Sequence, residues 1–130
     1  MGCVDLEMQY KNIFGYSPKE LKARIHHIAW IAYQVAVEQD YNEQPNKDQL
    51  DSLIDAQRRF NENPNITAEQ NHNNWMQFKT SQGWKYGPVK DFDKKEHPDM
   101  VPFDQLPVVE KRKDIMDNTV RRLINELIRT

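Results

Sequence analysis

The chain has 130 residues, the length of one domain, and its 18 Lys plus Arg against 20 Asp plus Glu leave a net charge of −2. So balanced a composition supplies no overall field for a nucleic-acid duplex or an anionic membrane, and any anion site must be local. No stretch approaches the roughly 20 apolar residues that span a bilayer, and no apolar signal core follows a basic segment, so a reducing cytoplasm is the expected compartment.

In chain order, Met1-Gly2-Cys3 resembles an acylation start, but Leu6 stands where that pattern needs Ser or Thr. Cys3, the single cysteine, has no internal disulfide partner and reads as an incidental thiol. Residues 1–16 form an N-terminal segment. Ser17-Pro18-Lys19-Glu20 then combines an N-cap, a proline at the first helical position and a reciprocal acidic residue, so a helix starts there. Leu21, Ile25, Ile28, Ala32 and Val35 form one apolar stripe, with Trp30, Tyr33 and Val37 beside it, and this wide face predicts burial between two neighbours. The helix fades near Asp40 to Gln44.

A second helix follows Pro45-Asn46, with Leu50, Leu53, Ile54 and Phe60 inward and Arg58 and Arg59 outward, and ends at Asn61-Glu62-Asn63-Pro64. Thr67-Ala68-Glu69-Gln70 is a capping box that opens a third helix, in which His72, Trp75 and Lys79 share a face and which Gly83 closes. Between Trp84 and Leu106, Pro88, Pro98 and Pro102 exclude a long helix. Pro107 opens a fourth helix with Val108, Ile115, Thr119 or Val120, Leu123 and Leu127 as its apolar side and Arg121, Arg122 and Glu126 on the wet side. The expected fold is mostly α, about four helices with a short β-hairpin or extended loop inserted between the third and fourth. Residues 1–130 make a single domain, residues 17–65 supplying supporting helices.

Trp75, Trp84 and Tyr86 are either core anchors or faces on which a purine stacks. Lys79, Lys90, Lys94 and Lys95 are either a solvated basic face or phosphate contacts, aided by backbone amides around Gly87 if that turn forms a nest; Lys90 is the best placed, directly after Tyr86-Gly87-Pro88-Val89. His72 and His97 invite an acid/base reading with Asp91, but structural roles fit them better, and neither Ser81 nor Cys3 belongs to a nucleophile-base series. The run Asp91, Asp93, Glu96, Asp99 fails as a calcium loop, with Glu96 where the turn needs Gly and Pro102 where it needs Glu. His26 and His27 point about 100° apart on a helix and read as surface or packing residues rather than a metal pair. No cofactor or metal is expected, nor an enzymatic activity.

The series His72-Asn73-Asn74-Trp75, Lys79, Gly83-Trp84-Lys85-Tyr86-Gly87-Pro88-Val89-Lys90-Asp91, Lys94-Lys95, His97-Pro98, Val101-Pro102-Phe103 and Leu106-Pro107 resembles the ryanodine-receptor repeat (RyR) domain, over residues 66–130. The resemblance suggests a stand-alone prokaryotic or viral member. The sequence departs from the family pattern at Lys90, where Arg is usual, at Phe92, where a second Asp is frequent, and at Asp117-Asn118, where Asp-Arg is common. Lysine lacks the two-pronged geometry of a guanidinium. The resemblance implies an α-helical fold with short strands near Trp84 to Tyr86, and a homodimer imitating the paired packing of the channel repeats. It also implies a non-catalytic module that senses an adenine nucleotide or a nucleotide-derived small molecule. The expected ligand-binding residues are Trp75, Lys79, Trp84, Tyr86, Lys90, Asp91 and His97. The alternative is a structural or protein-interaction module without a small ligand.

Overall fold

The computed structural model describes residues 6–129, so the readings made at Met1-Gly2-Cys3 lie outside the described residues. Among the described residues there are five α-helices: α1 (Leu6–Phe14), α2 (Pro18–Ala36), α3 (Lys47–Glu62), α4 (Ala68–Ser81) and α5 (Val108–Leu127). Two short strands, β1 (Lys85–Tyr86) and β2 (Glu96–His97), and a 3-10 turn at Phe103–Gln105 lie between α4 and α5. None of the helices is long and apolar enough to cross a membrane.

The helix starts follow local chemistry. The Ser17 hydroxyl accepts the Glu20 amide at 3.3 Å, and Asn46–Gln49 and Thr67–Gln70 close complete capping boxes. At the end of α4, Gly83 adopts φ +92°, a left-handed conformation that glycine reaches without a Cβ penalty. The extra helix α1 corrects the four-helix expectation. It buries none of its residues, so no core-facing stripe marks it in the sequence. Gly15, at φ +83°, ends it, its amide returning to the Lys11 carbonyl at 2.9 Å.

The insert is not a hairpin of β1 and β2. Lys85 pairs with Glu96 and Tyr86 with His97 in parallel, through Lys85 N to Lys95 O (3.0 Å) and Gly87 N to His97 O (3.3 Å). The reversal lies within the segment, where Asp91 and Glu96 form an antiparallel bridge around a tight turn with Lys95 at φ +53°. The Asp91 carboxylate accepts the Asp93 and Lys94 amides at 2.9 and 3.0 Å, stabilising that turn. Gly87 is needed because the strands approach so closely: a Cβ there would lie 2.5 Å from the Glu96 Cβ. Its amide is committed to His97, so Gly87 supplies no free donor for an anion nest.

Helices α2 and α4 each pack on both α3 and α5, so the four long helices form a ring. The inward stripes of α2 and α5 differ from expectation. On α2 the buried residues are Lys22, Ala23, His26, His27 and Gln34, while Ile28 and Val35 are exposed. On α5 they are Asp114, Arg121 and Ile124, with Val108, Ile115, Leu123 and Leu127 outside. Arg121, expected on the wet side, is only 4% exposed. Apolar residues turn outward here because the charged stripe finds its partners across the ring, which offsets the desolvation that normally keeps it in water.

The Gly87→Ala substitution is expected to lower the unfolding free energy by about 1–3 kcal/mol, the range for overpacking. Urea denaturation checks this, and a variant as stable as the parent would show that the strand pair has room to move apart.

Candidate functional site

A cavity of about 610 Å³ occupies the centre of the ring. Its floor is a buried polar clasp. From α4, the Asn71 Nδ2 donates to Asp114 Oδ1 at 2.8 Å and to Asp117 Oδ2 at 3.4 Å, while Asn71 Oδ1 accepts from Arg121 Nη1 at 2.7 Å. His26 of α2 reaches the same group, its Nε2 lying 2.7 Å from Asp117 Oδ1. Burial opposes charge on Asp117, but the bonds from His26 and the field of Arg121 outweigh it and hold this carboxyl below its usual range. An anionic Asp117 requires His26 to donate its Nε2 proton, and burial keeps that imidazole neutral. Asp114 behaves oppositely: burial first, then the neighbouring Asp117, pushes it up to about 7.

One wall is aromatic. Trp30 stacks on His27 at 5.1 Å, Trp75 stacks on His72 at 5.6 Å and meets His97 edge-on at 5.0 Å, and Trp84 meets Phe92 edge-on at 5.8 Å. His72 is fixed by a 2.7 Å bond from Nε2 to the Val101 carbonyl oxygen. Trp84 is 5% exposed, and its Nε1 donates to Asp48 Oδ2 of α3 at 3.0 Å. Lys95 also contacts Asp48, at 3.3 Å, so the first turn of α3 anchors the insert at two points.

Two ammonium groups adjoin these rings. Lys79 is buried with its Nζ 5.3 Å from the centre of the Trp84 ring, and burial brings it down to about 8. The Lys90 residue is exposed, but its Nζ lies 5.1 Å from the Trp30 ring centre and 5.0 Å from that of Phe92, and burial of that group lowers its pKa. The same desolvation, with Lys90 adding to it, takes His97 down to about 3. Its imidazole is therefore uncharged at neutral pH, and its Nδ1 accepts the Asp99 amide at 3.0 Å.

An acidic corner completes the cavity. Lys113 Nζ donates to Gln39 Oε1 at 2.7 Å and to Glu110 Oε1 at 3.0 Å, and Gln39 Nε2 donates to Glu110 Oε2 at 2.9 Å. Burial, followed by the hydrogen bond and charge of Glu110, raises Asp99. Glu110 is also buried, but the combined bonds from Asp99, Gln39 and Lys113 prevail and keep it low. The two carboxyls therefore titrate as a pair, one proton between them being favoured by burial and their mutual hydrogen bond.

Five of the seven expected site residues, Trp75, Lys79, Trp84, Lys90 and His97, line this one cavity. Tyr86 does not: it is 56% exposed on β1. Asp91 is also absent from the lining, its carboxylate being used in the insert's turn. Sequence reasoning missed His26, Trp30, Gln34, Asn71, Asp99 and the α5 stripe Glu110, Lys113, Asp114, Asp117 and Arg121, all of which face the cavity. The α5 signal was available, since Glu110, Asp114, Asp117 and Arg121 recur at steps of four, three and four. Among the described residues, no group of three or more His, Cys, Asp or Glu could hold a metal ion.

The family model for the RyR domain matches residues 50–130, more than half of the chain. The chain belongs to the RyR domain family. The match begins inside α3, earlier than the boundary at residue 66 suggested by the motif series, so the Leu50–Glu62 part of α3 belongs to the RyR domain. Helix α2 precedes the matched residues, yet it contributes His26, His27, Trp30 and Gln34 to the RyR domain's cavity.

The raised Asp114 carries a pH signature. Its folded pKa, about 7, lies above the ordinary 3.8, so between roughly 4 and 7 the folded state binds a proton that the unfolded state lacks, and this contribution to stability is lost as pH rises. Asp114→Asn removes the titration while keeping an oxygen for Asn71. Wild type is expected to lose stability relative to this variant between roughly pH 4 and 7, the two curves running parallel above that. A constant difference in chemical denaturation across that window would contradict the assignment.

Proposed function

We propose that this RyR domain is a non-catalytic binding or sensing module for an adenine nucleotide or a small molecule derived from one. The observation that carries this reading is the combination of aromatic faces, two ammonium groups and uncommitted buried polar atoms around one cavity. Trp30 and Trp75 offer faces on which a base can stack, worth about 1–3 kcal/mol per base in single-strand binders. Lys79 and Lys90 offer positive charge at one edge for phosphate groups. The acidic corner at Asp99 and Glu110 suits the hydrogen-bonding edge of a base. Three residues of the lining, His26, Gln34 and Arg121, carry buried polar atoms (Nδ1, Oε1 and Nε) with no hydrogen-bond partner among the described residues. Such atoms are costly to leave unpaired, and a polar ligand can satisfy them.

One observation favours the structural alternative at a single residue. Trp84 is nearly buried and spends its N–H on Asp48, which is the behaviour of a packing anchor. In the binding reading Trp84 therefore shapes the wall and supports Lys79, while Trp30 and Trp75 meet the ligand.

Titration of the protein with ATP, ADP, ADP-ribose and cyclic nucleotides, followed by tryptophan fluorescence and calorimetry, is expected to show saturable binding below millimolar for at least one. Lys90→Ala is expected to weaken that binding about tenfold, the loss of one charge-assisted contact of roughly 1.4 kcal/mol, without lowering thermal stability. No saturable binding to any of them would leave the structural alternative standing.

Lys79 adds a proton linkage. Above about 8 it is largely neutral in the empty protein, so capture of a phosphate restores its proton from solvent. Affinity is expected to fall as pH rises beyond about 8, and the binding heat at alkaline pH to vary with the ionisation enthalpy of the buffer. Both effects should vanish in Lys79→Met; their persistence would place the titrating group elsewhere.

A further inference from the structure

Lys79, Lys90 and Lys113 line the cavity, and they are not equivalent. Lys113 is committed to Gln39 and Glu110, and the Lys90 residue is exposed. Lys79 alone combines burial with freedom: it is 6% exposed, yet among the described residues its Nζ has no hydrogen bond and no ion pair. Asp48, whose charge reaches it, is already taken up by the Trp84 N–H at 3.0 Å and the Lys95 ammonium at 3.3 Å. The backbone that carries Lys79 is held firmly, since the Gln82 and Trp84 amides both donate to its carbonyl, at 3.0 and 2.9 Å. Burial is the main cause that brings Lys79 down to about 8; Lys90 and Lys95 add like charge, and Asp48 and Asp51 oppose them. A lysine desolvated against an apolar wall and beside other cations is the arrangement that turns an ammonium into a nucleophile.

We propose that Lys79 is a nucleophilic amine that captures small anionic aldehydes as an imine, with Lys90 receiving the anion. The neutral Nζ adds to the carbonyl carbon, the C–N bond forming as the C=O π pair moves to oxygen. That oxygen leaves as water with the two amine protons, relayed through solvent, and the nitrogen pair closes the C=N bond; nothing is oxidised or reduced. The cavity, at about 610 Å³, lies within the range of roughly 300–1,000 Å³ usual for small-molecule pockets. The chemistry uses the same cavity as the proposed nucleotide site but needs no base, so either can exist without the other.

Pyridoxal 5′-phosphate carries a ring, a phosphate and an aldehyde and serves as the probe. The full chain is mixed with it in equimolar amount at neutral pH, reduced with borohydride and digested for peptide mass spectrometry. The reduced adduct is expected on Lys79 at about tenfold the level on exposed lysines such as Lys19, Lys85 and Lys94, as for a desolvated amine. This preference should disappear in urea. Lys79→Arg, which keeps the charge but cannot form the imine, should leave only the surface labelling, and pyridoxine 5′-phosphate, which lacks the aldehyde, should leave no adduct. An adduct spread evenly over the lysines of the folded protein, or a preference that survives in urea, overturns the proposal. Nucleotide binding without Lys79 labelling keeps the proposed function and overturns the imine; Lys79 labelling without nucleotide binding supports the imine alone.

Discussion

Asn71 joins charged groups that would otherwise be stranded among the helices. Its one amide gives hydrogens to Asp114 and Asp117 and receives one from Arg121, and Asp117 passes the connection on to His26 of α2. Three helices are thus held by groups whose burial is tolerable only while they remain together. The small apolar core plays a narrower part: Phe60, Ile124 and Ile128 are buried away from the cavity, and of the four Leu106 alone lies on its lining. A domain built this way keeps a cavity where a conventional four-helix arrangement would interdigitate leucines.

This dependence explains what could be read from the sequence. Helix starts at Ser17 and Thr67 were legible because a cap involves residues three apart. The stripe His72, Trp75 and Lys79 on α4 was legible as one face, and it does line the cavity. On α2 and α5 the rule that apolar residues point inward chose the opposite face. Arg121 is buried because Asn71, fifty positions earlier, accepts from it, and no periodicity within α5 contains that information.

The insert shows the same boundary between local and distant causes. Its prolines announced a break in helical structure, whereas the close approach at Gly87 is set by Glu96 across the strand pair and is not written in the local sequence. The parallel direction of β1 and β2 depends instead on a reversal at Lys95 and on the attachment of Trp84 and Lys95 to Asp48. Lys90 and His97 were legible as candidates from the RyR resemblance, whereas Trp30, which stands beside Lys90, belongs to a helix that the family match does not reach.

The size and chemistry of the cavity also have a consequence for hydration. A space of about 610 Å³ bordered by carboxylates, ammonium groups and imidazoles is wetted rather than dry, and at roughly 30 Å³ per molecule it accommodates on the order of twenty waters. Any guest therefore enters by exchange, and its affinity reflects how well it replaces the solvent already attending the polar walls. Flat rings can release water from Trp30 and Trp75 at little loss, while the ionic floor rewards only guests that reproduce its hydrogen bonds. Selectivity in such a chamber is set by drainage as much as by fit.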